Sequence, residues 1–345
     1  MSAHNISNKV PKYGPAIPPV GVLWSALRTE GEAVELGFLT GVTGAAFRTC
    51  VNEAMNDEAL LAEGNRFAEN ALPLLGYEIR FLARGFGKGK VNAPEREKIF
   101  TLLQVTLDGG TPVLLTGPFG WALVLGYDKG NKQYWIREAA PRNAVHDMAL
   151  SPPWQAGSEQ EERWEDEETL AEMEGGLNLA VLRKRGQRLP DRGLAINALR
   201  HAVAHISKKG PGPMHFGLNA ITFLRGQLLK EAEESKWEAR VLGADLPLQV
   251  IFATLNRHKA VEFLKDLAPE FAGEKKSSLG ECAAAYAEAA QTWLTLQCSL
   301  PNPKAYEEKR ESAQASPDSL RSMAELLKQI FEIEERALHL LEGVV

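Results

Sequence analysis

Apolar and polar positions in the first half of the chain alternate in a pattern that predicts a β-sheet. The run Ala122–Leu125 enters a Gly-Tyr-Asp stop, and Gln133–Glu138 follows a short turn, which is typical of a β-hairpin. Gly76–Leu82 alternates as a strand does, and Pro112–Leu115 is a short buried strand. Leu177–Arg183 is one more predicted strand. With the helices predicted beside them, these strands indicate an α+β domain.

Helical segments and an N-terminal arm accompany these strands. Residues 1–18 are polar and rich in proline, so we expect an arm that lies on the surface or is partly disordered. Pro19 begins the first helix and Gly31 ends it. The small residues of Gly41–Arg48 predict a tight turn and a close backbone approach, and the glycines of Gly85–Lys90 predict a flexible loop. Further helices are predicted at Glu35–Leu39, Asp57–Leu75 and Pro94–Leu107.

The second half of the chain has the helical period throughout. Helices are predicted at Ala195–Ser207, Phe216–Lys236, Leu248–Leu267, Leu279–Cys298 and Pro317–Leu341. Between the halves, Val145–Leu150 is interpreted as an edge strand and the acidic run Glu159–Glu174 as a connector. The sequence therefore predicts an arm at 1–18, an α+β domain at 19–185 and an all-α helical domain at 190–345.

Composition and charge exclude several classes of function. The 345 residues, 44% of them hydrophobic and 24% charged, are ordinary for a globular protein of two domains. A net charge of −6 lacks the basic excess of nucleic-acid-binding proteins. Cys50, Cys282 and Cys298 form no disulfide framework and suit a reducing cytoplasm. No apolar window reaches the length of a membrane span. We expect a soluble cytoplasmic protein with no nucleic-acid or membrane partner.

The hairpin resembles the central hairpin of papain-like cysteine peptidases and acyltransferases of the bacteriocin-processing type. In that family the first strand opens with Gly-His and the second ends with Asp or Asn; this chain has Gly120-Trp121 and Glu138 there. The segments Ser25–Arg28 and Leu39–Arg48 resemble the N-terminal domain of the butirosin biosynthesis protein H (BtrH) family. The helical half is similar to the domain often fused to it, through residues 217–229, 257–264 and 283–296.

The resemblance implies a papain-like fold with a central antiparallel sheet and assigns three positions in this chain. The nucleophilic cysteine of the family precedes the Ser25-Ala26-Leu27 run by three residues, which is Val22 here. The histidine base corresponds to Trp121, and the residue that orients it corresponds to Glu138. Since a triad works as a unit, apolar residues at the nucleophile and base positions imply a protein without the family's activity.

Two more residues are candidates in or near the former active-site cleft. Trp24 joins Val22, Trp121 and Glu138 as a cleft candidate, because aromatic walls suit a flat apolar ligand; the alternative is that the tryptophans fill the vacated space. Arg48 binds a carboxylate or phosphate, or forms a structural salt bridge to an acidic residue.

Weak catalytic candidates also remain. Ser25 is one turn after Val22 but has no histidine near it in sequence, and Cys50 is either a displaced nucleophile or a buried small hydrophobe. His201 and His205 share a helix face without a third ligand, so no metal or cofactor is expected.

Three hypotheses of different classes follow from these observations. The first is a non-catalytic papain-like protein that binds a small molecule, a peptide or a protein partner in the former cleft. The alternative is an acyltransferase or thiol-dependent amidase of the BtrH type with a displaced nucleophile such as Cys50. The third is a structural role of the helical half, including assembly into a homo-oligomer.

Overall fold

The computed structural model describes residues 3–14, 16–53, 68–86, 93–117, 120–138, 162–172, 177–208, 213–234, 245–300 and 315–345. Within them the strands are β1 (His4–Asn5), β2 (Cys50–Asn52), β3 (Tyr77–Phe86), β4 (Val113–Gly117), β5 (Gly120–Asp128), β6 (Gln133–Glu138), β7 (Glu162–Asp166), β8 (Leu177–Lys184) and β9 (Met214–Phe216). The helices are α1 (Pro18–Thr29), α2 (Leu36–Val42), α3 (Ala93–Asp108), α4 (Glu167–Glu172), α5 (Asp191–Ile206), α6 (Gly217–Glu234), α7 (Asp245–Leu267), α8 (Gly273–Ser299) and α9 (Pro317–Val344).

The mixed α+β class is confirmed by these elements. The predicted strand at Val145–Leu150 lies outside the described residues, as do most of the predicted helix Asp57–Leu75 and the end of the predicted loop Gly85–Lys90. No helix in the described part of the chain has the length and apolar character needed to cross a bilayer.

The chain divides into two compact units. The first contains the described residues of Met1–Leu36, Asn65–Pro141 and Gly157–Leu189. The second contains those of Gly37–Gly64 and Pro190–Val345. Residues 37–53, predicted to belong to the first domain, pack within the second unit.

A single antiparallel sheet of seven strands is the centre of the first unit. Its order is β3-β8-β4-β5-β6-β7, and β1 pairs with the far end of β5. The predicted hairpin is confirmed, since β5 and β6 pair from Ala122 opposite Glu138 to Asp128 opposite Gln133. The interpretation of the acidic run as a connector is wrong, because Glu162–Asp166 is the edge strand β7, paired with β6.

The two faces of this sheet are covered by different helices. Leu123 and Arg137 are directly opposite each other on β5 and β6, so they share one face. Arg137 bonds to the carbonyl of Val10 in the N-terminal arm, and α1 packs against β5. The neighbouring Tyr134 and Ile136 alternate onto the other face, where the Phe100 ring of α3 stacks on Tyr134. We refer to these as the α1 face and the α3 face.

The N-terminal arm packs against the sheet. Arg137 is 2% exposed; its Nη1 donates to the Val10 carbonyl at 2.9 Å, its Nη2 to that of Ser7 at 3.1 Å, and its Nε to Glu162 at 2.8 Å. The arm is exposed at Asn8, Lys9 and Lys12, as expected of a surface segment, but its packing against the sheet was not predicted. Its polar composition hid four apolar residues that are all buried: Ile6, Val10, Tyr13 and Ile17.

The second unit is an array of helices, and the five helices predicted for it are confirmed as α5–α9. In α9, Pro317 begins the helix and the Ser316 hydroxyl caps it by accepting from the Ser319 amide at 3.1 Å. A buried stripe then follows one face of the helix, which packs against α6 and α8: Leu320, Met323, Leu327, Ile330, Leu338 and Leu341.

Residues 37–53 join this array through small residues and a short strand pair. A Cβ atom on Gly41 would overlap the Phe263 ring of α7, and Gly44 has a positive φ of 81°. The predicted tight turn and close approach are thus confirmed. β2 then pairs antiparallel with β9, with Cys50 opposite Phe216. This strand pair explains why the segment belongs to the helical unit.

Candidate functional site

A cavity of about 520 Å³ lies against the sheet of the first unit. Most of its wall is apolar, and the Trp121 side chain is part of it. The residues that line it come from β3, β4, β5, β8 and the segment before β3: Ala68, Glu69, Leu72, Pro73, Glu78, Ile79, Phe81, Arg84, Leu114, Thr116, Trp121, Asn178 and Ala180. A concave apolar site with a few polar groups is the usual form of a small-molecule site.

The strand register explains how Trp121 reaches this cavity. Trp121 is directly opposite Thr116 on β4, which is in turn opposite Asn178 on β8. Residues in such a row point to one face of the sheet. Leu123 shares that face with Trp121, so the row lies on the α1 face. Trp121 itself is 6% exposed.

An irregularity in β3 brings two further side chains to the cavity. Phe81 and Arg84 are three residues apart, so a regular strand would direct them to opposite faces. The register of β3 against β8 shifts between Phe81 and Ala83 and again between Ala83 and Phe86. Such bulges redirect side chains, and here the Arg84 guanidinium lies 3.9 Å from the centroid of the Phe81 ring. Both residues line the cavity.

Asn178 connects the irregular strand to the polar end of the cavity. Its Oδ1 accepts from the Gly85 amide at 3.2 Å, and its Nδ2 donates to the Thr116 hydroxyl at 3.4 Å. Because a backbone N–H can only donate, the Gly85 contact fixes the orientation of the side-chain amide. Asn178 thereby fixes the position of Gly85, the residue that follows Arg84.

The three α1 candidates have structural partners. Val22 is 1% exposed on α1. The Trp24 indole N–H donates to the Val34 carbonyl at 2.7 Å, and Trp24 is half-buried. The Ser25 hydroxyl donates to the Pro11 carbonyl at 2.7 Å and is fully buried. These three side chains do not line the cavity described above.

Glu138 lies on the other face of the sheet from Trp121. It is directly opposite Ala122, and Ala122 alternates with Trp121 along β5. Glu138 pairs there with Arg163 of β7 at 2.6 Å. The expectation that Glu138 stands beside position 121 is corrected by this register, which the hairpin motif alone did not define.

Arg48 and Cys50 belong to the second unit, whereas Trp121 and Val22 belong to the first. The backbone carbonyl of Arg48 accepts a hydrogen bond from Arg257 Nη1 at 2.7 Å. Cys50 is 5% exposed in β2 and packs in a small cluster with Phe216. Their assignment to the first domain, made from their place in the sequence, is corrected.

The two histidines of α5 have different surroundings. His205 is half-buried, and its Nε2 donates to the Thr49 carbonyl at 3.2 Å, whereas His201 is exposed. Across the described ranges, no group of three or more His, Cys, Asp or Glu side chains is placed to hold a metal ion.

Sequence reasoning missed most of the cavity wall. Phe81, Arg84, Thr116 and Asn178 were not singled out, although two signals were present. Phe81-Leu82-Ala83 breaks the alternation of β3 at the position of the bulge. Asn178 is a polar residue between Leu177 and Leu179 in an otherwise apolar strand.

Compared with known proteins, the chain matches no family model and no curated protein.

Proposed function

We infer that this chain is a non-catalytic protein of papain-like type that binds a small molecule in the cavity beside Trp121. The observation that carries the proposal is the position of Trp121: the residue that the resemblance aligns with the catalytic histidine forms a wall of the cavity. An aromatic wall binds apolar ligands but transfers no proton, because the indole ring has no titratable nitrogen near neutral pH.

The surroundings of the two candidate replacement nucleophiles, Ser25 and Cys50, argue against catalysis. The Ser25 hydroxyl is buried and is committed to the Pro11 carbonyl. Cys50 lies in the second unit with its side chain packed against Phe216. A nucleophile of this type needs a histidine base, and the hydrogen bond of the Ser25 hydroxyl goes to a backbone carbonyl instead. The acyltransferase alternative therefore has no support from these contacts.

The size of the cavity favours a small molecule over a peptide or a protein. A volume of about 520 Å³ is within the range of pockets that enclose drug-sized ligands, roughly 300–1,000 Å³. The apolar side chains of Leu72, Ile79, Leu114 and Trp121 would supply most of the binding energy through burial. The polar groups would then fix the orientation of the ligand.

The test is a titration of protein labelled with 5-fluorotryptophan against the neutral probe 2-naphthalenemethanol, followed by ¹⁹F NMR. The Trp121 signal, assigned with Trp121→Phe, should move on binding, and that of Trp293 in the second unit should not. Trp121→Ala should weaken binding about tenfold, since an aromatic wall is lost. Trp164→Ala, on β7 and outside the cavity wall, is the matched control. A Trp121 signal unchanged at saturating probe would refute cavity binding.

A further inference from the structure

The polar end of the cavity presents hydrogen-bond donors. The Asn178 amide uses one Nδ2 proton for Thr116 and has a second, which no bond within the described residues uses. The Thr116 hydroxyl accepts from Asn178 and retains its own proton to donate. The Arg84 guanidinium, held over the Phe81 ring, adds several donors and a positive charge.

Among the described residues, no carboxylate at the cavity is paired with this positive end. Glu78 lines the cavity but pairs with Arg185 at 2.5 Å. Within the part of the chain that the structure describes, no carboxylate forms an ion pair with Arg84, whose described contact is the Phe81 ring. Glu69 is on the other wall, in the segment 68–73, and is exposed to solvent. A ligand with an anionic acceptor group therefore complements the sheet side of the cavity.

We propose that the cavity selects molecules that join a flat apolar body to a carboxylate. The apolar body lies against Trp121 and Leu114, and the carboxylate accepts hydrogen bonds from Arg84, Thr116 and Asn178. This inference rests on the proposed function, since it names the ligand class of the same cavity. Arginine suits the task because its planar fork matches the two oxygens of a carboxylate.

The experiment compares three probes with the same naphthalene body: 2-naphthoate, 2-naphthalenemethanol and 2-naphthylmethylamine. Affinities are measured by calorimetry, and the ¹⁹F signal of Trp121 confirms the site. The carboxylate should bind about five- to tenfold more tightly than the alcohol, as expected for a solvent-accessible charged contact. The amine should bind more weakly than the alcohol, because Arg84 repels it.

Two arginine variants test the cause of the preference. Arg84→Gln should remove the advantage of naphthoate over the alcohol, measured as the ratio of the two affinities in the same variant. Arg80→Gln removes an equal charge from an exposed position of the same strand outside the cavity wall, and should preserve the advantage. Raising the salt concentration should reduce the preference in the wild type and not in Arg84→Gln.

The outcomes separate the two proposals. If the alcohol moves the Trp121 signal but naphthoate binds no better, the ligand class is wrong and the binding cavity stands. Preferential binding of the amine would assign the dominant charge to Glu69 and also overturn the ligand class. If none of the probes moves the Trp121 signal, both proposals fail.

Discussion

Arg257 on α7 donates hydrogen bonds to both carboxylate oxygens of Glu334 on α9, at 2.8 and 2.6 Å, and neither side chain is exposed to solvent. The guanidinium also donates to the Arg48 carbonyl and the Thr49 hydroxyl, and the Trp293 indole N–H donates to Glu334 at 3.0 Å. A buried pair tolerates its desolvation only when its remaining groups are bonded in this way. Through these hydrogen bonds the pair links residues 48–49, which follow α2, to α7 and α9.

Replacing Arg257 by methionine should lower the free energy of unfolding by about 3–5 kcal/mol, because the Glu334 carboxylate is left buried without its counter-charge. Urea unfolding followed by circular dichroism measures this loss. Arg321→Met is the control, since Arg321 pairs with Asp318 on the surface of α9. Equal stability of the two variants would show that the buried pair is not a constraint on the fold.

His205 should make the protein less stable in mild acid. Burial lowers its pKa well below 6.5, and the charges of Arg48, Arg257 and Lys208 lower it further, against the opposing bond to Thr49. The folded protein therefore keeps the ring neutral, while the unfolded chain binds a proton as the pH falls below about 6.5. The free energy of unfolding should decrease with falling pH by at most about 1.4 kcal/mol per unit from this group.

The pH dependence is checked by urea unfolding at several values between about pH 5 and 7.5, where histidine changes its charge. His205→Gln keeps a donor for the Thr49 carbonyl and should flatten the profile. His201→Gln, exposed on the same helix, should leave the profile unchanged. A profile identical in the wild type and His205→Gln would contradict the assignment.

Thiol reagents should label Cys298 alone in the folded protein at neutral pH. Cys298 is exposed, while Cys50 and Cys282 are buried, and burial raises the pKa of the Cys282 thiol. Mass spectrometry after brief treatment with iodoacetamide measures the sites, and Cys298→Ser should abolish labelling. Rapid and selective labelling of Cys50, with hydrolysis of a thioester that is lost in Cys50→Ala, would instead favour the acyltransferase alternative.

The double variant Val22→Cys with Trp121→His should not become an efficient enzyme. The new imidazole would have no carboxylate at position 138 to orient it, because Glu138 is on the α3 face and pairs with Arg163. Replacing a packed tryptophan by a smaller ring also costs about 2–5 kcal/mol where the site cannot collapse. Steady-state hydrolysis of p-nitrophenyl acetate, with a thermal melt, measures both effects.

Val22→Cys alone is the control for the reactivity of the thiol in that experiment. Robust turnover by the double variant at an unchanged melting temperature would show that the cleft is still arranged for chemistry, and the binding proposal would be wrong. Because the resemblance assigns the nucleophile to Val22 and the base to Trp121, we also expect these two side chains to lie within about 8 Å of each other.

Local patterns predicted the regular elements and missed what depends on contacts distant in sequence. The β5–β6 hairpin and the helices α5–α9 have strong periodicity, and both were predicted. The packing of the arm was missed because its four buried apolar residues follow no strand or helix period, and their contacts are with residues distant in sequence. The face on which Glu138 lies depends on its pairing with Ala122, and a shift of one residue would reverse it.

The same limit applies to the cavity and to residues 37–53. The bulges of β3 are defined by pairing with β8, more than ninety positions later in the chain, so strand alternation could not place Arg84 beside Phe81. β2 finds its partner in β9, and no local signal in Cys50–Asn52 points to Met214–Phe216. The polar residues of the cavity wall could therefore be identified only from the structure.

The path of the chain has a consequence for how the protein is made. The chain contributes residues 37–53 to the second unit before it has completed the first, and α5–α9 come only after Leu189. During synthesis on the ribosome, buried residues such as Phe47 and Val51 must wait for partners that are still untranslated. A nascent chain paused after Leu189 would thus expose the apolar segment 37–53 to chaperones and proteases. A truncation at that point would leave exposed apolar surface on both fragments, because each fragment lacks residues that the other one supplies.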